Sequence, residues 1–322
     1  MNVSWSRRGF LEMLGAGLAL SELSLGAQAP ANAPNPARDA ANVERDVVFG
    51  KGGALDLSCD IYKPTGSVAP KRMAVLHFHG GGWAGGDKSG LAARLQPMSA
   101  LGYVNIAAQY RLSGVARWPA ALDDVKTAIR WTRANAARLQ IDPARVAVAG
   151  YSAGAYLALF AAGTQNEARF EGSGGNAGVP TTVAACLSYY APTGAATGPQ
   201  FRVALPLPPG SSEAAWQDVE IGAHLKGMPP TALFQGTADT LVAPEISETL
   251  AKQLRIANVP CELYEFAGVS HEFNEFPEFA EACSRLNDFF LDRYVINPKT
   301  YPAFGAGRGR GQGGGGRGRG GQ

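Results

Sequence analysis

Charge, histidine, cysteine and methionine are all scarce in this chain. Only 17% of its 322 residues are Asp, Glu, Lys or Arg, and it holds four histidines, four cysteines and five methionines. Cys59, Cys186, Cys261 and Cys283 form no C-x-x-C pair and sit in apolar or periodic segments, which argues against zinc, and no metal site is expected. Their spacing fits either buried thiols or a single disulfide. No apolar run approaches the roughly 20 residues that span a bilayer, which excludes a multispanning membrane protein. The 41 glycines do not recur every third residue, which excludes collagen. A strong charge bias is missing too. Of the net +2, Arg308, Arg310, Arg317 and Arg319 near the end supply +4, so the remainder is about −2 and carries no basic footprint for nucleic acid.

What is present is apolar material: 46% of the residues are hydrophobic, enough for a sizeable core in one or two domains. The start of the chain reads Ser6-Arg7-Arg8-Gly9-Phe10-Leu11, then a weakly apolar stretch from Met13 to Leu25. It resembles a twin-arginine export signal over residues 1–29 and implies a periplasmic or secreted protein without a stable membrane anchor. Residues 30–42 read as an Ala/Pro/Asn linker, 43–296 as a folded domain, and 297–322 as a disordered tail rich in Gly and Arg.

From Val43 onward the hydrophobic period switches between two and about 3.6. Strands are predicted at Val47–Phe49, Leu55–Tyr62, Met73–Phe78, Val104–Tyr110, Val146–Ala149, Val183–Tyr189, Ala232–Phe234 and Cys261–Phe266. Helices are predicted at Leu91–Leu101, Ala120–Leu139, Ala153–Ala162, Glu245–Ala257 and Phe276–Tyr294. Short buried strands alternating with helices imply an α/β fold with a mostly parallel sheet covered on both faces. In such sheets ligands bind at the carboxyl ends of the strands, so residues that carry chemistry should fall just after strands.

Four segments pass that test. Gly150-Tyr151-Ser152-Ala153-Gly154 fits G-x-S-x-G and joins a predicted strand to a predicted helix, the setting in which a sharp turn lifts a serine hydroxyl above a sheet. His79-Gly80-Gly81-Gly82-Trp83 follows Met73–Phe78, and a glycine run there aims backbone N–H groups at an oxyanion. Gly81, Gly82 and Ala153 are the predicted donors. Among four histidines, His77 lies inside a strand, His79 belongs to the glycine loop and His224 precedes a strand at the wrong edge. His271, five residues past Cys261–Phe266, is the one suited to act as base. Asp239, just after Ala232–Phe234, is positioned to orient that imidazole, with Glu245 as a competitor at the start of a helix.

With serine, acid and histidine in that order, these residues resemble the α/β-hydrolase superfamily over roughly Val43 to Tyr294. Within it the chain is most similar to carboxylesterases of the hormone-sensitive-lipase type, and more closely to the bacterial feruloyl and acetyl-xylan esterases. The closer likeness rests on His79-Gly80-Gly81-Gly82-Trp83 with Gly86-Asp87-Lys88, Tyr110-Arg111-Leu112, Trp118-Pro119-Ala120-Ala121 with Asp123-Asp124, and Ile141-Asp142-Pro143-Ala144-Arg145. The resemblance implies Ser152 as nucleophile, His271 as base, Asp239 as acid, and no cofactor. It also shows departures. Glu272 follows His271 where a glycine is common, and Ala191-Pro192-Thr193-Gly194 lacks the aspartate often found at its end.

A Pro-rich insertion between Ala191 and Pro229, with Phe201, Leu205, Leu207 and Trp216, is expected to roof a pocket, with Trp83 and Tyr151 touching substrate beside the serine. No long apolar lid helix is visible, so short-chain or aromatic acyl esters are the expected substrates, including acetyl or feruloyl groups on plant polysaccharide. Amide cleavage by the same triad is the alternative, since both reactions pass through one tetrahedral oxyanion. Arg111 is expected to pair with Asp123 or Asp124, as a structural ion pair rather than a substrate clamp.

Overall fold

A computed structural model describes residues 40–301, apart from 41, 66–67, 166 and 195–198. The expected signal (1–29), most of the linker and the tail beyond Tyr301 lie outside the described residues. Eight strands form one sheet in the order β1-β2-β4-β3-β5-β6-β7-β8. They are β1 Val43–Gly52, β2 Leu55–Tyr62, β3 Ala74–Phe78, β4 Val104–Ala108, β5 Val146–Tyr151, β6 Cys186–Tyr189, β7 Thr231–Gly236 and β8 Cys261–Phe266. β2 runs antiparallel to both β1 and β4, and every other neighbouring pair is parallel. This is the α/β-hydrolase fold.

The helices are α1 Ala92–Ala100, α2 Ala120–Ala134, α3 Ala136–Leu139, α4 Ala153–Gly163, α5 Pro199–Ala204, α6 Glu213–Gln217, α7 Pro244–Ile256 and α8 Pro277–Leu291. Strand alternation divides the core between the two faces. Leu76, Phe78, Val146 and Val148 join the apolar sides of α2, α4 and α7, whereas Val75, Ala147, Ala149 and Tyr151 point to α1 and α8.

Element ends differ from the sequence pattern where side chains or loops take over backbone groups. The expected helix Ala120–Leu139 breaks at Asn135, whose Nδ2 donates to the Trp131 carbonyl at 2.9 Å. The strand expected from Val183 begins only at Cys186, because the Val183 N–H goes to Gln165 Oε1. The last helix stops being α-helical at Leu291 and continues as a π-helical turn over Asp292–Ile296. All four cysteines are free, so no disulfide forms. Burial pushes the thiols of Cys59 and Cys283 up to about 12, which keeps them protonated.

Candidate active site

β3 and β5 lie side by side at the centre of the sheet, in register with Phe78 opposite Gly150. From β3 the chain continues toward β4 on one side, and β5 leads toward β6 on the other. The loops leaving these two strands therefore flank the topological switch point. The glycine loop and the G-x-S-x-G turn are those two loops.

Ser152 has φ 52° and ψ −119°, an unfavourable backbone for a residue with a Cβ. The packing that enforces it is backbone on backbone. A Cβ on Gly150 would strike the Gly154 carbonyl, and one on Gly154 would strike the carbonyls of Phe78 and His79. The turn is held further by the Ser152 N–H, which donates to the Tyr189 carbonyl of β6 at 3.0 Å. Beyond it, α4 begins at Ala153, whose N–H is one of the unpaired donors of a helix amino terminus.

The glycine loop is folded by positive φ at Gly81 (109°), Gly82 (59°), Trp83 (59°) and Gly86 (94°). The Gly81 carbonyl accepts from the N–H groups of Ala84 (3.1 Å) and Gly85 (3.0 Å), and a Cβ on Gly81 would collide with the Gly85 carbonyl. Among the described residues, the N–H groups of Gly81, Gly82 and Ala153 donate to no protein acceptor. Gly80 sits against the serine: a Cβ there would lie 3.3 Å from Ser152 Cβ.

Asp239 and His271 meet where the loops after β7 and β8 are laced together. The Thr237 N–H donates to the Phe266 carbonyl, the Ala238 N–H to the Val269 carbonyl, and the Gly268 N–H to Thr237 Oγ1. Gly236 permits this approach, since a Cβ there would clash with the Val269 carbonyl. Asp239 Oδ1 accepts from the Leu241 and Val242 N–H groups, both at 2.9 Å. Its Oδ2 accepts from Gln235 Nε2 at 3.1 Å and lies 2.7 Å from His271 Nδ1. The Asp239 side chain is fully buried and that of His271 is 14% exposed. The imidazole lies against the Tyr190 ring with centroids 4.5 Å apart. His271 Nε2 is buried and has no hydrogen-bond partner among the described residues. The Ser152 hydroxyl is not hydrogen-bonded to it in this structure.

The other three histidines have structural surroundings. Burial pushes His77 down to about 4, so the ring is neutral, and the Asn105 Oδ1 acceptor at 3.1 Å fixes the proton on Nε2. His77 Nδ1 then accepts from the Tyr151 hydroxyl at 3.2 Å. Burial likewise pushes His79 down to about 4, and its Nδ1 donates to the Gly80 carbonyl at 2.8 Å. His224 lies 2.8 Å from Glu167 on the far side of α4. Glu245 stands in the first turn of α7, away from His271's hydrogen bonds.

Tyr151, expected to touch substrate, is instead buried in the core. Strand alternation turns it toward α1 and α8, where it is 3% exposed, stacks on Tyr189 at 4.9 Å and lies under the Arg94 guanidinium at 4.8 Å. Trp83 packs edge-on against Tyr156 (5.4 Å) and against Phe201 of α5 (6.0 Å), so the Pro-rich insertion does close over the glycine loop. The Trp118 N–H anchors it by donating to the Pro206 carbonyl at 2.9 Å. Arg111 grips Asp124 through Nε and Nη2, with the Asp124 side chain 2% exposed. That pair ties the loop after β4 to α2.

The BD-FAE family model matches residues 59–254, more than half of the chain. The chain belongs to the BD-FAE family. Its relatives include LipM of Mycobacterium tuberculosis, named a probable carboxylic ester hydrolase, at 27% identity over 71% of this chain and 56% of LipM. Esterase LipQ of the same organism is 35% identical over 49% of this chain and 37% of its own length. This BD-FAE chain thus spans about half, or less, of the curated relatives it matches. Among solved structures, butyrate-bound Est2 of the planctomycete Thermogutta terrifontis, described as a thermophilic esterase, superposes with TM-score 0.66 and 27% identity, covering 81% of this chain and 97% of Est2.

Several supporting residues of this BD-FAE site carry no sequence signal of their own. Gln235 holds Asp239, and is itself fixed by the Ser247 hydroxyl donating to its Oε1 at 2.7 Å. Tyr190 backs the imidazole and donates to Asn274 Oδ1 at 2.7 Å. Arg94 of α1 is buried and donates to Glu275 Oε1 at 2.5 Å. None of these belongs to a motif, and only the folded chain brings them to the site. Among the described residues no His, Cys, Asp and Glu cluster is suited to a metal ion, and no helix is long and apolar enough to cross a membrane.

Proposed function

We propose that this chain is a serine esterase that cleaves short-chain or aromatic acyl esters through an acyl-enzyme. Ser152 attacks the carbonyl carbon and passes its proton to His271 Nε2. The carbonyl oxygen becomes an oxyanion that accepts from the N–H groups of Gly81, Gly82 and Ala153. The imidazolium, held by Asp239, then gives the proton to the departing alcohol, and water repeats the sequence to release the acid. The carrying observation is the 2.7 Å contact of His271 Nδ1 with a fully buried carboxylate, which leaves Nε2 bare at the same end of the sheet as Ser152.

Support for a short acyl group comes from the insertion, which packs Phe201 onto Trp83, and from the butyrate bound in Est2. The ester-hydrolase names of LipM and LipQ favour ester over amide. Acetyl or feruloyl groups on plant polysaccharide are the natural substrates of this reading, and the protein works outside the cytoplasm. The test is a chromogenic ester series with Ser152→Ala as control. Acetate and butyrate should be cut faster than decanoate, and the variant should lose nearly all turnover while keeping its fold. A preference for decanoate would overturn the acyl assignment. An active Ser152→Ala would overturn the nucleophile.

A further inference from the structure

Glu272 is the next residue after His271 and holds φ 60°, a backbone that favours glycine. The residue is half-buried. Oε1 lies 3.5 Å from the position a Cβ would take on Gly80, a position itself 3.3 Å from Ser152 Cβ. Glu272 Oε1 and the Ser152 side chain therefore stand less than about 7 Å apart, on either side of the same glycine. Among the described residues no hydrogen bond or ion pair engages the Glu272 carboxylate.

The buried Arg94 does not cancel this charge. Arg94 is 7% exposed and gives its Nη2 to Glu275 at 2.5 Å, while its Nε has no partner. Arg94, Glu275 and Glu272 together carry a net charge of about −1, with Glu272 as the member next to the serine. A carboxylate so placed adds negative potential to the space beside the serine. It attracts a positive group carried close to the scissile bond and repels a negative one, at a distance where solvent screens only part of the interaction.

We infer that Glu272 is a specificity-determining residue that makes this site select esters with a cationic alcohol over neutral esters of the same shape. The inference rests on the serine-esterase reading above. His271 supplies the proton to the leaving alcohol, so the alcohol must pass the imidazole, and the residue beside that imidazole is Glu272.

The test compares kcat/KM for butyrylcholine with that for 3,3-dimethylbutyl butyrate, its uncharged isostere, using the full chain. The wild type should favour the cation about tenfold at low salt, the size of a partly screened charge pair. The ratio should shrink toward unity near 1 M salt, where the Debye length is about 3 Å. Glu272→Gln should bring the ratio to within about twofold of unity. Glu272→Gly, which suits the backbone and so avoids a folding failure, should do the same. A wild-type ratio near unity, or a ratio unchanged in both variants, overturns the inference. Hydrolysis of p-nitrophenyl butyrate by the wild type separates the two readings: without it the esterase assignment falls, and with it only the role of Glu272 is at stake.

Discussion

Asp239 and His271 are 32 residues apart in sequence, yet Oδ2 of one lies 2.7 Å from Nδ1 of the other. The carboxylate is fixed by three further donors, the N–H groups of Leu241 and Val242 and the Gln235 amide. Its lone pairs are directed before any substrate arrives. In the proposed mechanism this fixes the imidazole tautomer and leaves Nε2 free to take the serine proton.

Asp239→Asn should leave the fold and KM nearly unchanged, because the amide keeps the size and most contacts of the carboxylate. It should lower kcat by about 10⁴, since an amide N–H facing Nδ1 favours the wrong tautomer. Steady-state kinetics on butyrate esters would check this. A loss of less than tenfold would remove Asp239 from the mechanism.

Acid should destabilise the protein through His77 and His79. Folding lowers both rings to about 4, and the unfolded chain binds their protons near pH 6.5. This contribution is complete above pH 6.5 and is lost as the pH falls toward 4, at about 1.4 kcal/mol per pH unit for each ring. Denaturant midpoints at pH 7, 6 and 5 should fall accordingly. The imidazole C–H resonances of both residues should stay fixed between pH 7 and 5, and a titrating signal would contradict the assignment.

Gly154→Ala should cost about 1–3 kcal/mol of stability, the usual range for overpacking, and should impair turnover. The new Cβ meets the carbonyls of Phe78 and His79, which belong to β3 and the glycine loop and cannot retreat singly. Gly114→Ala is the control, because nothing lies within 4 Å of its Cβ position. Thermal unfolding of the two variants separates the outcomes.

Asp124→Asn should destabilise by about 3–5 kcal/mol, as expected when one partner of a buried ion pair is removed. The kcat/KM of the remaining folded protein should match the wild type, because Arg111 and Asp124 hold the loop after β4 against α2. A selective rise in KM with normal stability would make Arg111 a substrate clamp instead.

The sequence revealed most of this architecture because buried strands and amphipathic helices leave distinct periods. β8 matches its expected range, and β2 does too. Ser152, Asp239 and His271 stand out in the sequence because each follows a strand. Tyr151 reads as a pocket residue yet lies in the core, because adjacency to the serine says nothing about which face of β5 receives the side chain. The Asn135 break in the helix was hidden because side-chain capture of a carbonyl competes locally with a favourable helical pattern. Arg94 and Gln235 were invisible, since their roles come from contacts across long sequence separations.

Strand placement divides the machinery unequally. The glycine loop and the serine turn grow from β3 and β5, paired at the middle of the sheet, whereas the aspartate and imidazole follow β7 and β8, at a margin whose outer strand is only half-covered. In the proposed mechanism, fraying of this margin on warming would part His271 from Ser152 while the centre still stands, so activity should be lost at a lower temperature than the fold.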